Sequence, residues 1–124
     1  MGFDFVRLHH VQLLIPPGGE EVARGFYGGL LQMTELVKPP VLAARGGCWF
    51  RAGGWVVHLS PRPDFVPATH AHPGVLVEDL DGLAAVLGAA GRPVRWDTHF
   101  PGHRRLYAAD DHANRLEFLE PFKD

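Results

Sequence analysis

Four residues able to coordinate a metal fall at nearly one repeat distance along the 124-residue chain: His10 and His72 are 62 positions apart, and His58 and Glu117 are 59 apart. Two or three neutral imidazoles with one carboxylate suit a borderline divalent ion, Fe, Mn, Co, Ni or Zn, and leave positions open for water or a bidentate substrate. Such an ion polarises a carbonyl, stabilises an enolate, or binds catecholate and oxygen. The site would keep a net positive charge. Its expected ligand is therefore an anionic or oxygen-rich small molecule, helped by Arg105 or Arg115.

The elements that must position these residues repeat as well. Leu8-His-His-Val-Gln-Leu-Leu-Ile15 and Ala71-His-Pro-Gly-Val-Leu-Val77 are both His-led apolar strands followed by a helix. Alternation puts His10, Gln12 and Leu14 on one face of a strand over 7–15, with Val11, Leu13 and Ile15 on the other. His72, Gly74 and Leu76 likewise share a face. In the later strands His58 lies with Val56 and Ser60, and Glu117 with Arg115 and Leu119. After the first strand, Pro16-Pro-Gly-Gly19 breaks the chain, and a helix follows with buried rows Val22, Phe26, Leu30 and Ala23, Tyr27, Leu31. Met33–Val37 is a short strand, Pro39-Pro40 breaks the chain, and Cys48–Arg51 with Trp55–Ser60 is a hairpin turned at Ala52-Gly53-Gly54. The second module runs from the strand 71–77 through a helix capped by Asp79 and stopped at Gly91 and Pro93. Strands over 94–97, 105–109 and 115–120 complete it.

The expected fold is therefore α+β: two βαβββ modules, about 7–60 and 70–121, joined by the Pro-rich linker 61–69 within one domain, 1–124. Helices cover one face, the other lines a central cleft, and a pseudo-twofold axis would draw the four ligands to one centre.

Composition limits the function. Twelve basic against 14 acidic residues, a net charge of −2, give no basic stripe for nucleic acid. No apolar run approaches the ~20 residues of a membrane span, and no leader-like segment opens the chain, so a cytoplasmic location is expected. The lone Cys48 excludes an internal disulfide and a thiolate zinc site, which leaves metal binding to the eight histidines and the carboxylates.

With His10-Val-Gln-Leu, Phe26-Tyr27-Gly28-Gly29-Leu30-Leu31, His72 and Asn114-Arg-Leu-Glu-Phe-Leu-Glu-Pro121, the chain resembles the vicinal-oxygen-chelate superfamily. That group includes glyoxalase I, fosfomycin-resistance proteins, extradiol dioxygenases and bleomycin-binding proteins. The resemblance implies a cup-shaped, dimeric, metal-dependent lyase, isomerase, thiol transferase or ring-cleaving dioxygenase. It places ligands at His10, His72 and Glu117, and puts His58 where some branches carry a fourth. Tyr107 matches a tyrosine that contacts substrate and would orient or protonate a bound oxygen. Gln12, His58 and Arg105 would also face substrate. Gln32 departs from the glycine usual in the family, and Asp110-Asp-His-Ala-Asn114 from its usual turn.

Plainer readings compete. A single strand histidine is more often structural than a ligand, and His58 is either a ligand or a cavity wall. Glu117 could instead pair with Arg105 or Arg115. His70 shares a face with His72 and would replace it in another register. His9, His99, His103 and His112 are expected in solvent or loops, the three tryptophans in the core or an interface, and Cys48 as a small hydrophobe. A metal-free protein that sequesters a small molecule or antibiotic in the same cleft is the rival function.

Overall fold

Period-two burial sets which side of each strand enters the core. The computed structural model describes residues 2–123; Met1 and Asp124, the ends of the expected domain, lie outside the described residues. The first module holds β1 (Val11–Ile15), α1 (Glu20–Ala23) running into a π-helical stretch (Arg24–Leu30), β2 (Thr34–Leu36), α2 (Pro40–Ala43), β3 (Cys48–Ala52) and β4 (Trp55–Pro61). The second holds β5 (Gly74–Leu76), α3 (Leu80–Ala89), β6 (Arg95–Asp97), β7 (His103–Ala109) and β8 (Arg115–Pro121). Each module has its own four-stranded mixed sheet, ordered β1-β4-β3-β2 and β5-β8-β7-β6, with β1–β4 and β5–β8 parallel. The α+β fold and its internal repeat are as expected.

Several boundaries differ for physical reasons. The first strand begins at Val11, which pairs with Val57, and residues 2–10 have no strand beside them. Phe3, Phe5, Val6 and Leu8 are accordingly exposed, between 73% and 92%. The first helix widens after Ala23, where the Leu31 amide donates to the Phe26 carbonyl five residues back. Gly25, Gly28 and Gly29 fall here and weaken the regular ladder. Phe26 and Tyr27 both reach the core, whereas Val22, expected to be buried, is 46% exposed. Pro39-Pro40 does not simply break the chain: Pro40 opens α2, where its fixed φ suits the first helical position. The hairpin closes on Gly53-Gly54 alone, since Ala52 pairs with Trp55.

Asp79 caps α3 as expected, its carboxylate accepting the Gly82 amide at 3.0 Å. At the far end Gly91 takes a φ of +75°, and the amides of Gly91 and Arg92 bond to the carbonyls of Gly88 and Leu87. This is the glycine-terminated stop expected from Gly91 and Pro93.

One core joins the modules. Leu13, Ile15, Phe26, Phe50, Val57 and Leu59 from the first pack in one cluster with Leu80, Leu87, Leu106, Leu116 and Phe118 from the second. Trp55 meets Phe118 edge-on at 5.9 Å. Buried polar groups cross the same seam: the Tyr27 hydroxyl donates to Asp110 at 2.6 Å, and Asn114 donates to the Leu14 carbonyl at 2.9 Å. Burial, then the Asp110 charge, holds the Tyr27 phenol well above its ordinary pKa. His112 is half-buried and bonds to the Gly19 carbonyl at 2.8 Å, so it is a seam residue rather than a solvated one. Among the described residues no helix is long and apolar enough to cross a membrane.

Candidate functional site

The core-facing residues fix where the chemistry lies. Leu116 and Phe118 of β8 point into the core, which turns Glu117 to the opposite face, where it is still only 7% exposed. Glu117 lies across from Gly74 on one side and Tyr107 on the other. His72, just before β5, brings Nε2 to 2.8 Å from Glu117 Oε1, and its Nδ1 lies 2.6 Å from the His70 carbonyl. His72, not His70, therefore faces the carboxylate. Arg105 Nη1 reaches Glu117 Oε2 at 3.3 Å and is also bound to Asp97. The alternative ion pair for Glu117 thus forms with Arg105, while Arg115 lies over the Tyr107 ring at 4.0 Å.

A histidine with a backbone carbonyl on Nδ1 and a carboxylate on Nε2 is over-supplied with acceptors. A neutral imidazole carries one N–H. If Nδ1–H goes to His70, the Nε2 lone pair faces the Glu117 oxygen unless His72 is protonated or a cation sits between them. This is the donor chemistry of a metal-bound histidine whose second nitrogen is fixed by a carbonyl.

His58, on β4, and His10, just before β1, belong to the other module. His58 is pressed between Trp49, at 4.0 Å and 6°, and His10, at 3.9 Å and 14°. Burial, then the neighbouring His10 and His9, pushes its pKa down to about 4, so it is neutral at pH 7. Gln12 is exposed beside it in register. Trp49 is thus not simply a core residue; it stacks on the candidate ligand, a role that the pairing of β3 with β4 would have revealed. Since both sheets turn their apolar faces to one shared core, the His10–His58 and His72–Glu117 faces point away from it on separate sheets. The expected meeting of all four within one chain is not found: among the described residues no group of three or more His, Cys, Asp or Glu side chains is placed to hold a metal.

An apolar cleft of about 700 Å³ lies between the β3–β4 turn and β5, walled by Val11, Met33, Trp55, Val75, Leu83 and Phe118. The Trp55 indole Nε1 is buried without a hydrogen-bond partner. Cys48 is buried, and burial pushes its thiol up to about 11, which leaves it a hydrophobe.

No protein-family model matches the chain, and no curated protein does. Solved structures do. A glyoxalase family protein from Bacillus anthracis is 38% identical over 98% of this chain and 100% of that one, with a TM-score of 0.94. TnmS3, an antibiotic binding protein from Streptomyces sp. CB03234, is 18% identical, covering 96% and 100% of the two chains at 0.72. The fosfomycin resistance protein FosX from Listeria monocytogenes, as a variant complexed with Mn(II) and 1S,2S-dihydroxypropylphosphonic acid, is 15% identical over 96% and 95% at 0.76. The latter two share the fold, and the first carries the assignment: the chain belongs to the glyoxalase family of the vicinal-oxygen-chelate superfamily.

Proposed function

We propose that the protein is a divalent-metal-dependent enzyme that acts on a small oxygenated molecule by chelation, as a lyase, isomerase, thiol transferase or ring-cleaving dioxygenase. Its ion is held by His72 and Glu117 of one subunit together with His10 of the partner subunit, and the partner's His58 lies alongside. One observation carries this reading: the His72 Nε2 and Glu117 Oε1 atoms face each other at 2.8 Å while Nδ1 is engaged by His70. The pair fits half of a metal site, and a second copy supplies the rest. FosX, of the same fold, has been seen with Mn(II).

A bound divalent ion supplies Lewis acidity towards two substrate oxygens. The chain's own groups do the remainder. Arg105 anchors Glu117 Oε2, which leaves Oε1 aimed at His72. Tyr107, across the ladder from Glu117, would orient or protonate a substrate oxygen, and the partner's Gln12 would line the opposite wall.

Elemental analysis of untagged protein, purified without chelator or metal resin, tests this. About one equivalent of Fe, Mn, Co, Ni or Zn per chain is expected in the wild type and little in Glu117→Ala. A wild type that is empty and takes up no added metal overturns it.

A second reading has its own observation. Both Glu117 oxygens are partnered without any ion, and the cleft of about 700 Å³ is walled mainly by apolar side chains, which suits a metal-free small-molecule binder. TnmS3, of the same fold, is an antibiotic binding protein. In that case His72→Ala keeps ligand affinity; in an enzyme it abolishes turnover with the fold intact.

A further inference from the structure

Around Tyr107 the positive charge is in excess. Three guanidinium groups surround its ring, Arg115 at 4.0 Å, Arg105 at 5.1 Å and Arg95 at 5.3 Å. Arg105 is offset by Asp97 and Glu117. Arg95 and Arg115 are not: among the described residues neither guanidinium has a carboxylate or a hydrogen-bond acceptor, whereas nearby Arg92 and Arg104 are each held by both oxygens of an aspartate. These two unpaired groups flank one open groove of about 380 Å³, walled by Thr69, Val94, Arg95, Tyr107, Ala109 and Arg115. Two like charges on one ring repel, and a cation–π contact at an exposed site offsets little of that. An oxyanion between them would satisfy both, since guanidinium donors match carboxylate and phosphate oxygens.

We propose that this groove is an oxyanion subsite, in which Arg95 and Arg115 hold a carboxylate or phospho group of the ligand beside Tyr107. Its position gives the substrate a polarity. The Tyr107 ring meets His72 edge-on at 5.4 Å and lies across the ladder from Glu117, so an anion anchored in the groove extends its other end towards that pair. This orientation rests on the metal reading above, but oxyanion binding itself does not. The substrate class narrows accordingly to small molecules with a carboxylate or phospho group at one end and the reacting oxygens at the other.

The test uses chelator-treated protein at constant ionic strength, titrated with inorganic phosphate and separately with acetate, followed by the backbone amide NMR signals of Thr69 and Tyr107. Saturable shifts are expected with at least one of the two anions, and the better one names the group. Arg95→Gln and Arg115→Gln should each weaken binding about tenfold. The double variant should abolish saturation, and the double Lys variant should recover part of it. Arg51→Gln, on the other sheet, should change nothing. Shifts that stay linear with both anions in the wild type, or that persist in a folded double Gln variant, overturn the subsite. Metal content of the untreated wild type separates the two readings: a wild type that binds anion saturably but holds and takes up no metal sinks only the metal site, and one that holds metal but shows linear shifts with both anions sinks only the subsite.

Discussion

Gln32 shows how one residue reports on the backbone beneath it. It adopts a φ of +58°, the left-handed region, on an exposed turn between the widened first helix and β2. A side chain there costs about 1–2 kcal/mol, which is why glycine is usual at this turn. Gln32→Gly removes that strain and loses no packing, while the freer unfolded chain takes back part of the gain. A net stabilisation of about 0.5–1 kcal/mol is expected, seen as a rise of roughly 2–4 °C in the thermal midpoint. An unchanged or lower midpoint would show that the turn is not strained. Single residues at the site were legible to the same degree. Alternation placed His58, His72 and Glu117 off the core faces, and the seam residues Asp110 and Asn114 were visible only as an odd turn. Their partners, Tyr27 and the Leu14 carbonyl, lie 83 and 100 positions away, beyond any local pattern.

At the scale of elements, periodicity located every strand and both long helices, and it missed where tertiary partners decide. β1 is short because nothing pairs with residues 2–10. Arg95 went unnoticed because a strand starting at Val94 shows no reason for a free arginine until β7 lies beside it. The start of β3 depends on a contact of this kind. Gly47, at a φ of +85°, passes so close to β4 that a Cβ would sit 2.2 Å from the Leu59 carbonyl, and its amide donates to Glu20 of α1 at 2.9 Å. That hydrogen bond, the largest influence, holds the Glu20 carboxyl below its ordinary 4.5. Because the folded value is the lower one, the stabilisation is complete above about pH 4.5 and lost as pH falls through the folded value. Glu20 is partly exposed, so solvent screening keeps the effect under about 1 kcal/mol. Urea midpoints of wild type and Glu20→Gln should differ at pH 6 and converge towards pH 3; a gap that stays constant would remove the charge from the explanation.

At the scale of the whole molecule, the repeat was legible and its consequence was not. The offsets of 62 and 59 relate the modules, but a pseudo-twofold can bring the ligand faces together or the apolar faces together. Hydrophobic burial takes the second course within one chain, because each sheet's apolar face and the Tyr27–Asp110 bond need the other module. In the dimer proposed above the ligand faces of two copies would meet, and the exposed Phe3, Phe5, Val6 and Leu8 precede His10 in the chain. If His10 is contributed in trans, two separately inactive chains repair each other. In a mixed dimer of His10→Ala and His72→Ala chains, one site has lost both histidines, while the other takes His10 from the second chain and His72 from the first, and is whole. Random reassortment makes half the dimers mixed, each with one intact site of two, so about one quarter of the wild-type metal content and turnover should return on mixing. A site built within one chain predicts none, since every chain lacks a ligand. Recovery near zero after demonstrated subunit exchange would return His10 to its own chain and require the two sheets to rearrange on metal binding.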